Sequence, residues 1–160
     1  RLLSEDGPMS LSITLARAPE GLTSTFTNTS AQPLALTFWW NRFLKVVDDR
    51  GAVVEPAAGP VLPCGAGEDW LVLAPGASTS RTESLACTQP AGQTGDIGWS
   101  YEHLPAGRYR VVLVYRAPPW HGFTQAEPHP QAFAGVVESN AVDLDVVAKK
   151  KSLLARLLRT

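Results

Sequence analysis

LPAGRYRVVLVYR, residues 104–116, starts as a turn and finishes as a strand. Pro105 and Gly107 punctuate its first half, where the chain must change direction. From there Tyr109, Val111, Leu113 and Tyr115 fall on one side of an extended chain, and Arg110, Val112 and Val114 on the other. One side is wholly apolar and the other carries two valines. Arg108 to Arg116 therefore reads as a central strand, covered on both faces.

The same period of two spreads outward from this segment. Leu11, Ile13 and Leu15 alternate with Ser10, Ser12 and Thr14, as in a strand with one face buried and one wet. Ala18-Pro19-Glu20-Gly21 turns the chain, and the Thr-rich run Leu22 to Asn28 pairs back as a hairpin. Leu34, Leu36 and Phe38 form the next alternating set. Phe43 to Val47 is a strand ended by Asp48-Asp49-Arg50-Gly51, a tight-turn signature, with Ala52 to Glu55 as its mate. Ala57 to Gly67 reads as an irregular connection. Asp69 to Leu73 is short and apolar, and Thr79 to Leu85 reads as an edge strand. Val136 and Val137, then Val142, Leu144 and Val146, form a last strand or a kinked pair. About seven to nine short strands with regular turn signals make an all-β chain, an antiparallel β-sandwich occupying residues 9–147. Thirteen Gly and thirteen Pro supply the turns this requires, and 44% hydrophobic residues supply a core.

The ends read differently. Residues 1–8 read as a flexible N-terminus or a cloning remnant. Leu153, Leu154, Leu157 and Leu158 fall on one helical stripe, so 148–160 reads as a short basic amphipathic helix. From Lys149 to Thr160 there are five basic residues (Lys149, Lys150, Lys151, Arg156 and Arg159) and no acidic one, and the other 148 residues hold nine basic and fifteen acidic side chains, a balance of −6. An acidic body disfavours nucleic acid, which needs clustered Lys and Arg. The leucine stripe needs a cover: the body itself, a second protein chain (a partner, or another copy by self-association), or an anionic membrane surface. Four leucines and no aromatic make a weak membrane anchor, so protein contact is the expected cover. No apolar run approaches the roughly 20 residues that span a bilayer.

Leu104 to Tyr109, a turn delivering a tyrosine into a strong strand, resembles the tyrosine corner of immunoglobulin-like sandwiches. The order from Asn28-Thr29-Ser30 through FLKVVDDRG and LVLAPGAS to LPAGRYRVVLVY is similar to the bacterial BsuPI-type domain, the intracellular proteinase inhibitor family. The ending FAGVVESNAVDLDV, residues 133–146, resembles the closing strand of the Ig-like domains that precede deuterolysin-type metallopeptidases. These resemblances imply an immunoglobulin-like fold and, from the first family, protease inhibition. They bring no catalytic residues with them.

The search for chemistry finds no Cys-x-x-Cys, phosphate loop, His-Glu-x-x-His or Gly-x-Ser-x-Gly. The chain is therefore expected to be a non-catalytic binding or structural module that needs no cofactor. Trp120, His121, Phe123 and His129 lie in a connection of unusual length, Ala117 to Phe133, which holds four prolines. Such loops are often functional, and large apolar anchors suit protein recognition. The opposing reading is that the loop folds back and its aromatics cover the sandwich's own end. A rival function is a metal-binding or hydrolytic domain using His121 and His129, although a metal site needs three or four converging ligands. Tyr109 and Trp70 are expected to be structural, Trp70 as core. Cys64 and Cys87 allow one disulfide or two free thiols. The expected compartment is extracytoplasmic, the bacterial envelope or the medium, and cytoplasmic if Met9 is the initiator.

Overall fold

A computed structural model describes residues 10–19, 21–38, 42–58, 70–83, 85, 99–101, 104–117 and 129–147. These form twelve strands in chain order: β1 (Leu11–Ala18), β2 (Gly21–Asn28), β3 (Leu34–Leu36), β4 (Arg42–Asp48), β5 (Val53–Val54), β6 (Ala57–Ala58), β7 (Leu71–Leu73), β8 (Ser78–Glu83), β9 (Trp99–Ser100), β10 (Gly107–Ala117), β11 (Gly135–Glu138) and β12 (Val142–Val146). The chain is all-β among the described residues, and its strand pairs are antiparallel. One isolated parallel bridge joins Ala35 to Ala132. Twelve strands exceed the seven to nine expected, because short pieces form where turn residues crowd. Ala57–Ala58, read as irregular, pairs with Trp99–Ser100. Residues 1–8, the tail 148–160 with its four leucines, Cys64 and Cys87 lie outside the described residues.

The first sheet runs β1-β2-β8. Leu11, Ile13 and Leu15 are buried on β1, and Leu22, Ser24, Phe26 and Asn28 on β2. The opposite face is lined with hydroxyls that pair across strands, Thr25 with Ser80 at 2.9 Å and Thr27 with Ser78 at 2.8 Å. Gly21 opens β2 at φ 140°, where a Cβ would sit 3.0 Å from the Glu83 carbonyl oxygen. Any side chain there is strained and crowded.

The second sheet runs β11-β10-β4-β5, with β12 also on β10. β10 is central, as its two apolar faces require. It pairs with β4 from Tyr109↔Asp48 to Tyr115↔Arg42. Its other edge is shared: β11 pairs with Val114 to Ala117 and β12 with Gly107 to Val111. Val114 faces Glu138 and Val111 faces Val142, so one extra residue is inserted at 139–141. This is a β-bulge. Ser139 fills it, its Oγ accepting from the Leu113 N–H at 2.9 Å while its own N–H donates to the Leu113 carbonyl at 2.9 Å. On the outer face the Lys45–Glu138 ion pair, 2.7 Å, lies beside Val112 and the buried Val114. At the β4–β5 turn Gly51 has φ 84°, and the Asp48 carboxylate accepts from the Arg50 and Ala52 N–H groups.

Both sheets and the β3-β7 pair send side chains into one apolar cluster, which includes Leu15, Phe26, Leu34, Leu36, Val46, Val111, Leu113 and Tyr115. Burying side chains of this size stabilises by roughly 1.5–3 kcal/mol each. The alternation expected at 34–38 fails at Ala35, which is as buried as Leu34 and Leu36. β3 is flanked by β7 on one side and by residues 131–133 on the other.

Candidate functional site

The long connection leaves β10 at Ala117 and returns at Gly135, and these two residues are register partners. Its return limb is fixed to the frame by several contacts. His129-Pro130-Gln131-Ala132 forms a turn in which the Ala132 N–H donates to the His129 carbonyl, 3.0 Å. Pro130 sits where a turn wants a fixed φ. The Gln131 N–H donates to His129 Nδ1 at 3.1 Å, and the His129 ring lies 5.6 Å from that of Trp70. Ala35 donates its N–H to the Gln131 carbonyl at 2.8 Å and accepts from the Phe133 N–H at 3.0 Å. Phe133 is buried with its ring 5.9 Å from Tyr115.

Beneath this limb lies an aromatic floor. Phe26, Phe38 and Tyr115 meet edge to face at centroid distances of 4.9 to 6.2 Å, the arrangement ring quadrupoles prefer. The Tyr115 hydroxyl donates to the buried Thr37 carbonyl at 2.9 Å. Burial pushes its phenol pKa well above the ordinary value.

Beside Phe38 the floor becomes polar. β8 turns Thr79, Arg81 and Glu83 toward the interior and Ser78, Ser80 and Thr82 outward. Register places Arg81 opposite Ser24 and Glu83 opposite Leu22. The Glu83 carboxylate accepts from the buried Ser24 hydroxyl at 2.7 Å and from Arg42 Nε at 3.1 and 3.2 Å. Arg42 Nη1 donates to the Phe38 carbonyl at 3.0 Å. The two guanidinium groups, Arg42 and Arg81, lie 5.5 and 4.3 Å from the Phe38 ring centre. The Nε of Arg81 and the Thr37 hydroxyl are buried with no hydrogen-bond partner among the described residues. Chemically this cluster holds charge. The carboxylate is committed to Arg42 and Ser24, an arrangement suited to positioning and recognition.

Of the residues singled out from sequence, Tyr109 is buried and its hydroxyl donates to the Pro105 carbonyl, four residues upstream, at 2.8 Å. Trp70 is half-buried and lies one residue before β7, outside the core cluster expected to contain it. His129 spends Nδ1 on a backbone N–H. Trp120, His121 and Phe123 lie outside the described residues, so the pairing of His121 with His129 does too. Among the described residues no group of three His, Cys, Asp or Glu is placed to hold a metal, and no helix is long and apolar enough to cross a membrane. The Arg42, Arg81 and Glu83 cluster escaped the sequence reading because every residue from Ser78 to Glu83 is polar. Nothing in such a run says which face turns inward until its register against β2 is known. Comparison with protein-family models, curated proteins and solved structures gave no match to this chain.

Proposed function

We propose that the chain is an immunoglobulin-like β-sandwich acting as a non-catalytic protein-binding module, which presents the β10–β11 connection to a protein partner. The observation that carries this reading is the closed base of that connection. Ala117 and Gly135 are paired across the hairpin, and Phe133, Gln131 and His129 are tied to Ala35 and Trp70. A long segment held at both ends by a rigid sheet loses less freedom on binding than a free one, and this segment carries Trp120 and Phe123 as anchors. Two antiparallel sheets feeding one core, together with the Tyr109 to Pro105 hydrogen bond, support the immunoglobulin-like assignment. The BsuPI likeness makes a protease the first partner to try.

The test replaces residues 119–128 by a short Gly-Ser link and, separately, makes Trp120→Ala and Phe123→Ala. The expected result is an unchanged melting temperature with loss of the partner captured by the unaltered chain, or of inhibition against a protease panel. A variant that melts far lower would show that the aromatics cover the protein's own frame, which overturns the reading. So would a variant that keeps its partner.

A further inference from the structure

We infer that Arg81, seated on the Phe38 ring beside the Arg42–Glu83 pair, is the binding point for a carboxylate carried by a peptide partner. This rests on the protein-binding reading above and names the chemistry that the partner brings.

Charge around Phe38 is locally out of balance. Two guanidinium groups lie against Phe38, and among the described residues the one carboxylate paired there, Glu83, has its oxygens taken by Arg42 and Ser24. Arg81 makes no ion pair among the described residues. Its Nε–H is buried and has no partner among the described residues. A buried N–H on a cation has a strong unmet demand for an acceptor. A guanidinium stacked on an aromatic face keeps its planar edge of N–H donors free, and that fork matches the two oxygens of a carboxylate. The Thr37 hydroxyl, which directly precedes Phe38 in the chain, is buried and unpartnered as well. The unmet Nε–H of Arg81 over the Phe38 ring calls for a hydrogen-bonding ligand rather than an apolar one.

Location agrees with this. Arg81 is only half-buried and stands on β8, the edge strand of its sheet, so a ligand can reach it from solvent. The Phe38 ring lies 6.2 Å from that of Tyr115, two residues before Ala117, where the long connection leaves β10. A partner engaging that connection comes up against the same end of the frame. The competing role for inward-facing charges on an edge strand is to block pairing with another chain. That role needs no ligand, and the two are separable.

The probe is sodium acetate, exchanged for sodium chloride at constant ionic strength, with the arginine Nε–Hε signals of the full chain followed by NMR. Arg81 Hε is expected to move downfield and saturate. Arg108, exposed and already beside Asp145, should not follow it. Arg81→Gln, checked for folding by circular dichroism, identifies the Arg81 signal by its disappearance. A flat Arg81 signal, or one drifting without saturation together with Arg108, overturns the inference. Two short peptides then separate the sources of carboxylate: Ac-Gly-Glu-Gly-NH2 for a side chain and Ac-Gly-Gly-Gly-OH for a chain terminus. An equal response to neutral Ac-Gly-Gln-Gly-NH2 overturns it as well. The acetate titration needs neither the connection nor the partner, so it is decided independently of the loop replacement.

Discussion

The side-chain amide of Asn140 pairs with the backbone of Leu15 as a neighbouring strand would: its Nδ2 donates to the Leu15 carbonyl at 2.9 Å, and its Oδ1 accepts from the Leu15 N–H at 2.8 Å. Leu15 lies on β1, the outer strand of the first sheet, and Asn140 lies in the bulge between β11 and β12 of the second. One amide thus satisfies both exposed backbone groups of an edge residue and links β1 to the bulge between β11 and β12. Arg17 adds a parallel tie, donating to the Asp143 carbonyl through Nε and Nη2.

Asn140→Ala removes both partners of Leu15 at a half-buried point and should cost about 2 kcal/mol. Asn140→Asp keeps an acceptor for the N–H but sets a carboxylate against the Leu15 carbonyl, and should be at least as harmful. Urea unfolding measures the cost. Hydrogen exchange at the Leu15 amide should quicken selectively, and unchanged protection there would mean that the amide is not a working ladder partner.

Asn28 is fully buried and uses all of its hydrogen-bonding capacity. Nδ2 donates to the Gln32 and Leu73 carbonyls at 2.8 and 2.9 Å, while Oδ1 accepts from the Ser30 N–H and hydroxyl. It holds two loops together at the end of β2. Asn28→Ala should lose about 3 kcal/mol, since several buried groups become unsatisfied at once. Asn28→Asp gives up both donors and buries a charge, so it should be more stable at pH 4 than at pH 7. The same stability at both values would count against this role.

Sequence alone carries the all-β class, the first hairpin, the Gly51 turn and the central position of 108–116, and leaves 136–146 as one last strand or a kinked pair. Each rests on a signal local to its own residues: a period of two, a turn residue, or a strand apolar on both sides. What stays hidden depends on register between distant segments. Ala35 is buried because residues 131–133 lie across it, 96 to 98 positions later. Arg81 and Glu83 face inward because β8 docks on β2 in one register and not in the one shifted by a residue. Arg42 reaches Glu83 across 41 residues. No periodicity in a six-residue polar run encodes such a meeting.

The Arg42–Glu83 pair offers a test of buried charge. Its side chains are 25% and 9% exposed. Removing one partner strands the other, and Arg42→Ala or Glu83→Ala should each cost about 2–4 kcal/mol, near the range for broken buried pairs. Replacing both, as Arg42→Met with Glu83→Leu, should cost clearly less than the two single changes added together. Additive losses in chemical denaturation would mean that the two groups act independently.

The last prediction concerns alkaline pH. Two buried phenols are raised above their ordinary pKa of 10: Tyr115, by burial, and Tyr101, by burial and then by the nearby Glu55 carboxylate. Tyr101 donates to the Leu44 carbonyl at 2.8 Å, as Tyr115 does to Thr37 at 2.9 Å. Both hydrogen bonds need the protonated hydroxyl. Below about pH 10 the folded and unfolded chains both hold these protons, and the two phenols give stability no pH dependence. Above it the unfolded chain releases them while the folded chain keeps them. Stability therefore falls as pH rises through that window, by about 1.4 kcal/mol per pH unit for each tyrosine. Tyr115→Phe should be less stable at pH 8 by about 1–2 kcal/mol, because the Thr37 carbonyl loses its donor. Its further loss on raising the pH should be shallower, since one of the two phenols is gone. The urea midpoints of the two proteins should converge as the pH is raised. Parallel curves would show that the Tyr115 proton is not held by the fold.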